Sequence, residues 1–370
     1  MKRFFMISVI LPFVVVLIGE VWAGEGIIVK REAAQKFTTL PAVANFPEGI
    51  TANPDTGDIY VSTFEFDGSG NETNLLLRFK KNGKLIAKRD FGNIPLLGLA
   101  FNREDNKVYI CSVGNFQGVD SKIQRIAADF DETTPIEDVA VIPNLVGPLD
   151  SRTVDNPDGS TDTIMFGLGA AVPNALTFNS AGDLFASDSF QGAVFRIDSA
   201  DMCGDPGILC SVVTVKQDGL LTTAGFPPFG ANGIALSTDE SEIFIANTGD
   251  DRILRLNLGT GEIVVFAESI NGADGIAYYE GQLVVAANQA DEVVILNVNG
   301  RVIAKLGDFL GIRNDGSARG LLFPASLVIV GDRIFVTNLA LPLTGVAGDE
   351  PEEDVSTYTV SRINIPKQLP

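Results

Sequence analysis

The sequence predicts an all-β fold, a six-bladed β-propeller whose ring is closed by an N-terminal strand completing the last blade. Three observations carry this. Beyond an apolar leader, no stretch has helical periodicity; Val, Ile and Phe run in alternating patterns punctuated by Gly, Asn, Asp and Pro. One short box recurs, as PEGITA around Glu48, PNALTF around Asn174, ANGIAL around Asn232 and ADGIAY around Asp274. After each box come a polar turn and a second strand, GDIYVST, GDLFASD, SEIFIAN or GQLVVAA, a self-similarity that marks a repeat architecture.

Residues 1–23 read as an export signal, with Lys2 and Arg3 as a basic start, an apolar run over 7–19 and the small-residue site Val21-Trp22-Ala23. An uncleaved anchor is the rival, but a bilayer span needs about 20 apolar residues. The mature chain is expected from Gly24, secreted or periplasmic, as one domain over 24–370 with no second run of spanning length.

Aligning the second strands on Ile59, Val108, Leu184, Ile243, Leu283 and Ile334 puts Glu48, Leu97, Asn174, Asn232, Asp274 and Ser326 at the head of the first strands. The intervals between these six, 49, 77, 58, 42 and 52 residues, each suit one four-stranded blade with insertions. Third strands read as LLLRFK (75–80), KIQRIA (122–127), AVFRID (193–198), RILRLN (252–257), EVVILN (292–297) and TVSRIN (359–364). Fourth strands follow, among them LIAKRDF, SVVTVK, EIVVFAE and RVIAKLG. The last copy lacks one, and residues 36–40 can supply it, leaving no free sheet edge.

First and second strands of a blade run antiparallel. The box residue therefore meets Asp188, Asn247, Asn288 or Asn338 of its own blade at one rim of the channel. Long connections gather on that face, at 64–74, 143–173, 217–231, 307–325 and 339–356, and insertions on one face of a repeat protein usually mark its binding face. The 143–173 stretch reads as a lid or as passive covering.

Composition narrows the chemistry. The full chain carries −20, and the leader holds Lys2, Arg3 and Glu20, so the mature charge is −21. Such a surface repels nucleic acid and anionic membranes and favours cations, besides giving solubility. The absence of histidine excludes Ser-His-Asp and Cys-His catalysis and His-ligated zinc. Acid–base work falls to carboxylates, Lys, Tyr or metal-bound water. Cys203 and Cys210 frame a short loop that an exported protein can oxidise, whereas Cys111 sits in an apolar strand as a buried thiol. Asn71-Glu72-Thr73 fits a glycosylation acceptor if the host is eukaryotic.

Any one Asn or Asp of the box column is explained by turn chemistry before a strand. Four together are not, because glutamate is a poor turn residue and a propeller brings corresponding positions around one axis. Glu48, Asn174, Asn232 and Asp274 make a hard-oxygen cage of formal charge −2. Calcium, which accepts about six to eight oxygens in flexible geometry, suits a spread cage better than magnesium does. Leu97 and Ser326 are the silent blades. Asp188, Asn247, Asn288 and Asn338 are candidates for a supporting shell, or else strand-end residues that bond turn backbone.

Over about residues 40–365, FPEGI, PNAL, ANGIAL and ADGIAY make the chain resemble the gluconolactonase/SMP-30-like propellers, relatives of the paraoxonases and squid-type phosphotriesterases. The resemblance implies one calcium at the channel mouth on Glu48, Asn174, Asn232 and Asp274, and hydrolysis of lactones, aryl esters or organophosphorus esters. It also implies Asp274 as nucleophile or base toward water. Two departures stand out. The arginine that sugar lactonases carry two residues before the third-blade asparagine is Val172 here, and the histidines of the paraoxonase branch are missing. An apolar ester or lactone under Phe166, Val172, Phe226 and Phe229 is therefore the expected substrate, taken by a monomer. A non-catalytic, calcium-stabilised binding module is the alternative, and a strictosidine-synthase-like branch, which typically lacks the cage, comes third.

Overall fold

The structure, a computed structural model, describes residues 26–66, 68–114, 119–145, 151–155, 157–167, 169–203 and 208–369. Six four-stranded antiparallel sheets form a ring, and the first strands of consecutive blades pack on one another around the axis. Those first strands are Pro47–Ala52, Leu96–Asn102, Pro173–Phe178, Ala231–Leu236, Ala273–Tyr279 and Pro324–Val330. The chain is a six-bladed propeller. Its last blade is completed by Gln35–Thr39, which pairs antiparallel with Thr359–Asn364, so a strand from before the first blade closes the ring. The sequence also leaves unannounced a fifth, parallel strand on blade 5, Ile28–Lys30 against Val302–Leu306. The leader expected over 1–23 lies outside the described residues. Among the described residues, no helix is long and apolar enough to cross a membrane.

A bulge recurs in every blade and decides where the box residues point. First and second strands pair at Pro47↔Thr63 and again at Ile50↔Val61, so Glu48 and Gly49 together oppose Ser62. The same two-against-one step follows Leu96, Pro173, Ala231, Ala273 and Pro324. A bulge frees its residues from the ladder and re-aims them. Here it leaves a backbone N–H that three blades satisfy with a facing hydroxyl. Gly49 N donates to Ser62 Oγ (2.9 Å), Ala175 N to Ser187 Oγ (3.0 Å) and Ser326 N to Thr337 Oγ1 (3.0 Å). Each hydroxyl then donates to the bulge carbonyl of the next blade: Ser62 to Leu97 O (2.6 Å), Ser187 to Asn232 O (2.5 Å) and Thr337 to Glu48 O (2.7 Å). The last of these links blade 6 to blade 1.

The small residue of the box has a steric cause. A Cβ on Gly98 would lie 2.2 Å from Asn174 O, and one on Gly233 would lie 2.1 Å from Asp274 O, both backbone atoms of the next blade. Gly98→Ala is therefore expected to lower stability by about 1–3 kcal/mol through overpacking. Gly169→Ala, where a Cβ meets nothing within 4 Å, serves as control. Equal melting temperatures for the two variants would remove this account of the glycines.

The register also corrects two positions. In blade 6 Pro324 pairs with Asn338, so the residue equivalent to Glu48 is Ala325 rather than Ser326, which stands in the small-residue column. In blade 5 the residue paired before the box is Ala287; Asn288 stands one place further on, level with Ser189 and Thr248. The backbone confirms this, since Ser189 N, Thr248 N and Asn288 N bond Val172 O, Gly230 O and Gly272 O, each two residues before its box. The two positions shift because the strand ends carry similar polar residues and the turns between first and second strands differ in length.

Candidate metal centre

Glu48, Asn174, Asn232 and Asp274 come together in one cavity at the mouth of the channel. All four are buried, at 3–5% exposure. Leu97 lines the same cavity without offering an oxygen. Thr248 and Asn288 complete its polar wall, and the rest is apolar: Phe64, Pro227, Phe229, Phe323, Leu339, Leu341 and Leu343.

The hydrogen bonds fix which atoms face inward. Ser189 Oγ donates to Ala231 O (2.7 Å), so it can only accept from Asn174, whose Nδ2 donates to it at 2.9 Å. Thr248 Oγ1 donates to Ala273 O (2.8 Å) and accepts from Asn232 Nδ2 at 2.9 Å. One N–H of each amide is thus committed to a hydroxyl, and the second N–H of Asn232 lies close enough to Asp274 to pull on its carboxyl; the carbonyl oxygen of each amide is the pole left for a cation. Asn288 Nδ2 donates to Asp274 Oδ2 (3.1 Å), while Glu48 Oε2 and Asp274 Oδ1 are buried without a hydrogen-bond partner. Buried polar atoms are normally paired, and an orphaned carboxylate oxygen is costly. Burial pushes the Asp274 carboxyl up to about 8, against the opposing pull of the Asn288 and Asn232 amides. Burial, and then the charge of Asp274, holds Glu48 well above the ordinary carboxylate range.

The donor set fits a hard cation. Two carboxylates and two amide carbonyls supply oxygen only, their charge of −2 matches a divalent ion, and the orphaned oxygens are what an ion would satisfy. The cavity volume is about 40 Å³, against roughly 10–15 Å³ for one water on the same measure. There is room for an ion with one or two waters.

The other expected residues divide. Phe229 lines the cavity. Asp188 is structural: its Oδ1 accepts from Phe190 N and Gln191 N, and its Oδ2 from Val172 N and Gln191 Nε2. Asn247 bonds Leu220 O, Thr222 O and Asp250 N, and Asn338 bonds Leu322 N, Thr359 and Ser361. Val172 packs in the core between blades 2 and 3, and Phe226 is 60% exposed. Neither these two nor Phe166 lines the cavity.

The 143–173 stretch falls partly outside the described residues. Its described part forms a hairpin, Ser151–Asp155 with Thr161–Met165, and lines no part of the cavity. Among the described residues, the apolar roof comes from loops of blades 1, 4 and 6. Ser189, Thr248 and the roof leucines escaped sequence reasoning; a hydroxyl directly after DLFASD and EIFIAN was the available signal for the first two. Elsewhere, Cys203 and Cys210 are disulfide-bonded and Cys111 is buried and free.

Neither a protein-family model nor a curated protein matches this chain in sequence. Solved structures do match in shape. A regucalcin from Agrobacterium tumefaciens strain C58, described as a calcium-binding protein, is 16% identical at a TM-score of 0.59, over 91% of this chain and 95% of its own. A luciferin-regenerating enzyme gives 12% and 0.58 over 91% and 96%, and a putative gluconolactonase 15% and 0.52 over 90% and 91%. The likeness is one of fold.

Proposed function

We propose that this chain is an exported, calcium-dependent hydrolase of lactone or ester bonds. The observation that carries it is the pair of orphaned carboxylate oxygens, Glu48 Oε2 and Asp274 Oδ1, buried in a cavity with two amide-oriented asparagines. Glu48, Asn174, Asn232 and Asp274 would hold the ion. When bound, calcium would supply Lewis-acid polarisation of a substrate oxygen.

The chain's own residues do the rest. Asn288 holds Asp274 Oδ2 and so aims the carboxylate at the ion and at any water beside it, where Asp274 would act as nucleophile or base toward that water. Phe64, Phe229, Phe323, Leu341 and Leu343 exclude bulk water and offer an apolar surface to the acyl part of a monomeric protein's small substrate. The surface charge argues against nucleic acid and anionic membranes as partners. The regucalcin and gluconolactonase neighbours lend this reading support by analogy of fold.

One observation favours a second reading. At about 40 Å³ the cavity leaves little room for a lactone or ester beside an ion unless its roof moves. A calcium-pinned, non-catalytic binding module needs no such movement. Two measurements separate the readings. Calcium titrated into chelator-treated protein is expected to bind and to raise stability by about 2.7 kcal/mol at a hundredfold excess over Kd. Lactones, aryl esters and phosphotriesters are expected to turn over faster with wild type than with Asp274→Asn. Unchanged melting with calcium removes the cation, and equal turnover hands the site to the binding module.

A further inference from the structure

We infer that the residue immediately after the second strand, Ser189 in blade 3 and Thr248 in blade 4, is the positioning residue that makes each box asparagine an oxygen donor. This rests on the proposed cation site and deepens it. An asparagine side chain is two-faced: its amide can present oxygen or nitrogen to a cavity, and only the oxygen attracts a cation. The choice is made by a hydroxyl whose own proton is already spent on the neighbouring blade, Ser189 on Ala231 O and Thr248 on Ala273 O. A hydroxyl without a proton to give accepts, so it draws the amide nitrogen to itself.

The column bears this out around the ring. The residues after the second strand are Phe64, Val113, Ser189, Thr248, Asn288 and Leu339, opposite Glu48, Leu97, Asn174, Asn232, Asp274 and Ala325. Hydroxyls stand only opposite the two asparagines. The blades with apolar Leu97 and Ala325 carry Val113 and Leu339. The aspartate has a donor, Asn288, and the glutamate, symmetric once ionised and needing no orientation, has a phenylalanine. Gly272 keeps Asn288 in place, since a Cβ there would lie 1.7 Å from Asn288 Oδ1.

The test is a double-mutant cycle read by cation affinity, with calcium by calorimetry and terbium by luminescence, together with the melting temperature of the chelator-treated protein. Ser189→Ala and Thr248→Val are each expected to weaken calcium binding about 10–100-fold, the usual cost of removing a ligand's supporting partner. Ser189→Thr and Thr248→Ser are expected to restore it. Because Ser189 acts through Asn174, adding Ser189→Ala to Asn174→Ala is expected to lose nothing further. Should one hydroxyl deletion fail to fold, the other pair carries the test.

A variant that melts lower without metal yet binds calcium like wild type would reduce the hydroxyl to an inter-blade staple and overturn the inference. Additive losses in the cycle would overturn it equally. A wild type that binds neither ion would remove the cation reading and this inference together, whereas normal wild-type binding with unaffected variants removes this inference alone.

Discussion

Metal-free protein is expected to lose stability as the pH rises from about 4 to about 8, the opposite of the calcium-bound form. Burial raises the folded-state affinities of Asp274 and Glu48 for protons, Asp274 to about 8, above the ordinary carboxylate values near 4. Between those limits the folded state holds more protons than the unfolded state. Stability therefore falls with pH, being fully present below the unfolded pKa and lost as pH rises through the folded one. Asp188 and Asp291, also raised by burial, add to the same trend. Calcium replaces those protons with a charge that does not titrate, and its advantage grows as the carboxylates ionise. Melting temperatures at pH 5 and pH 8, in chelator and in calcium, check this. A chelated protein that melts higher at pH 8 would refute it.

Asp274→Asn is expected to raise the metal-free melting temperature at pH 8 while weakening calcium binding and the proposed hydrolysis. The substitution removes a buried charge whose Oδ1 has no partner, yet keeps an oxygen for Asn288 to bond. Stability in the absence of metal therefore increases. Calcium affinity falls, because the cage charge drops from −2 to −1. The proposed hydrolysis is expected to fall by about 10²–10⁴-fold, the usual contribution of a general base. Its pH slope of stability in chelator should also be shallower than that of wild type. A variant that is less stable than wild type without metal, at pH 8, would mean that Asp274 is held by something other than an ion.

How much of this was legible beforehand differs between the ring and the site. Six strand pairs and the borrowed closing strand follow from apolar periodicity and a recurrent box, both local properties of the chain. The four oxygen donors follow from the same box, since equivalent positions of a propeller must meet at the axis. Ser326 was set one residue out of register and Asn288 one level out, although Asn288 does reach Asp274 as a supporting residue. Both assignments counted residues across turns whose length differs from blade to blade; Val172 came from the resemblance and packs in the core between blades 2 and 3. The reading of 143–173 as a lid or passive covering came from loop length; its described part lines no part of the cavity, whereas the shorter loops carrying Phe229, Phe323 and Leu341 do.

By itself, then, the sequence determined the repeat, its closure and the chemistry of the column, because these depend on residue type and period. The tertiary structure decided what faces what. The bulge turns Glu48, Asn174, Asn232 and Asp274 out of the ladder. Hydroxyls whose protons belong to the neighbouring blade choose the inward pole of each amide. Those bonds join residues 42 and 25 positions apart and exist only once the blades have packed.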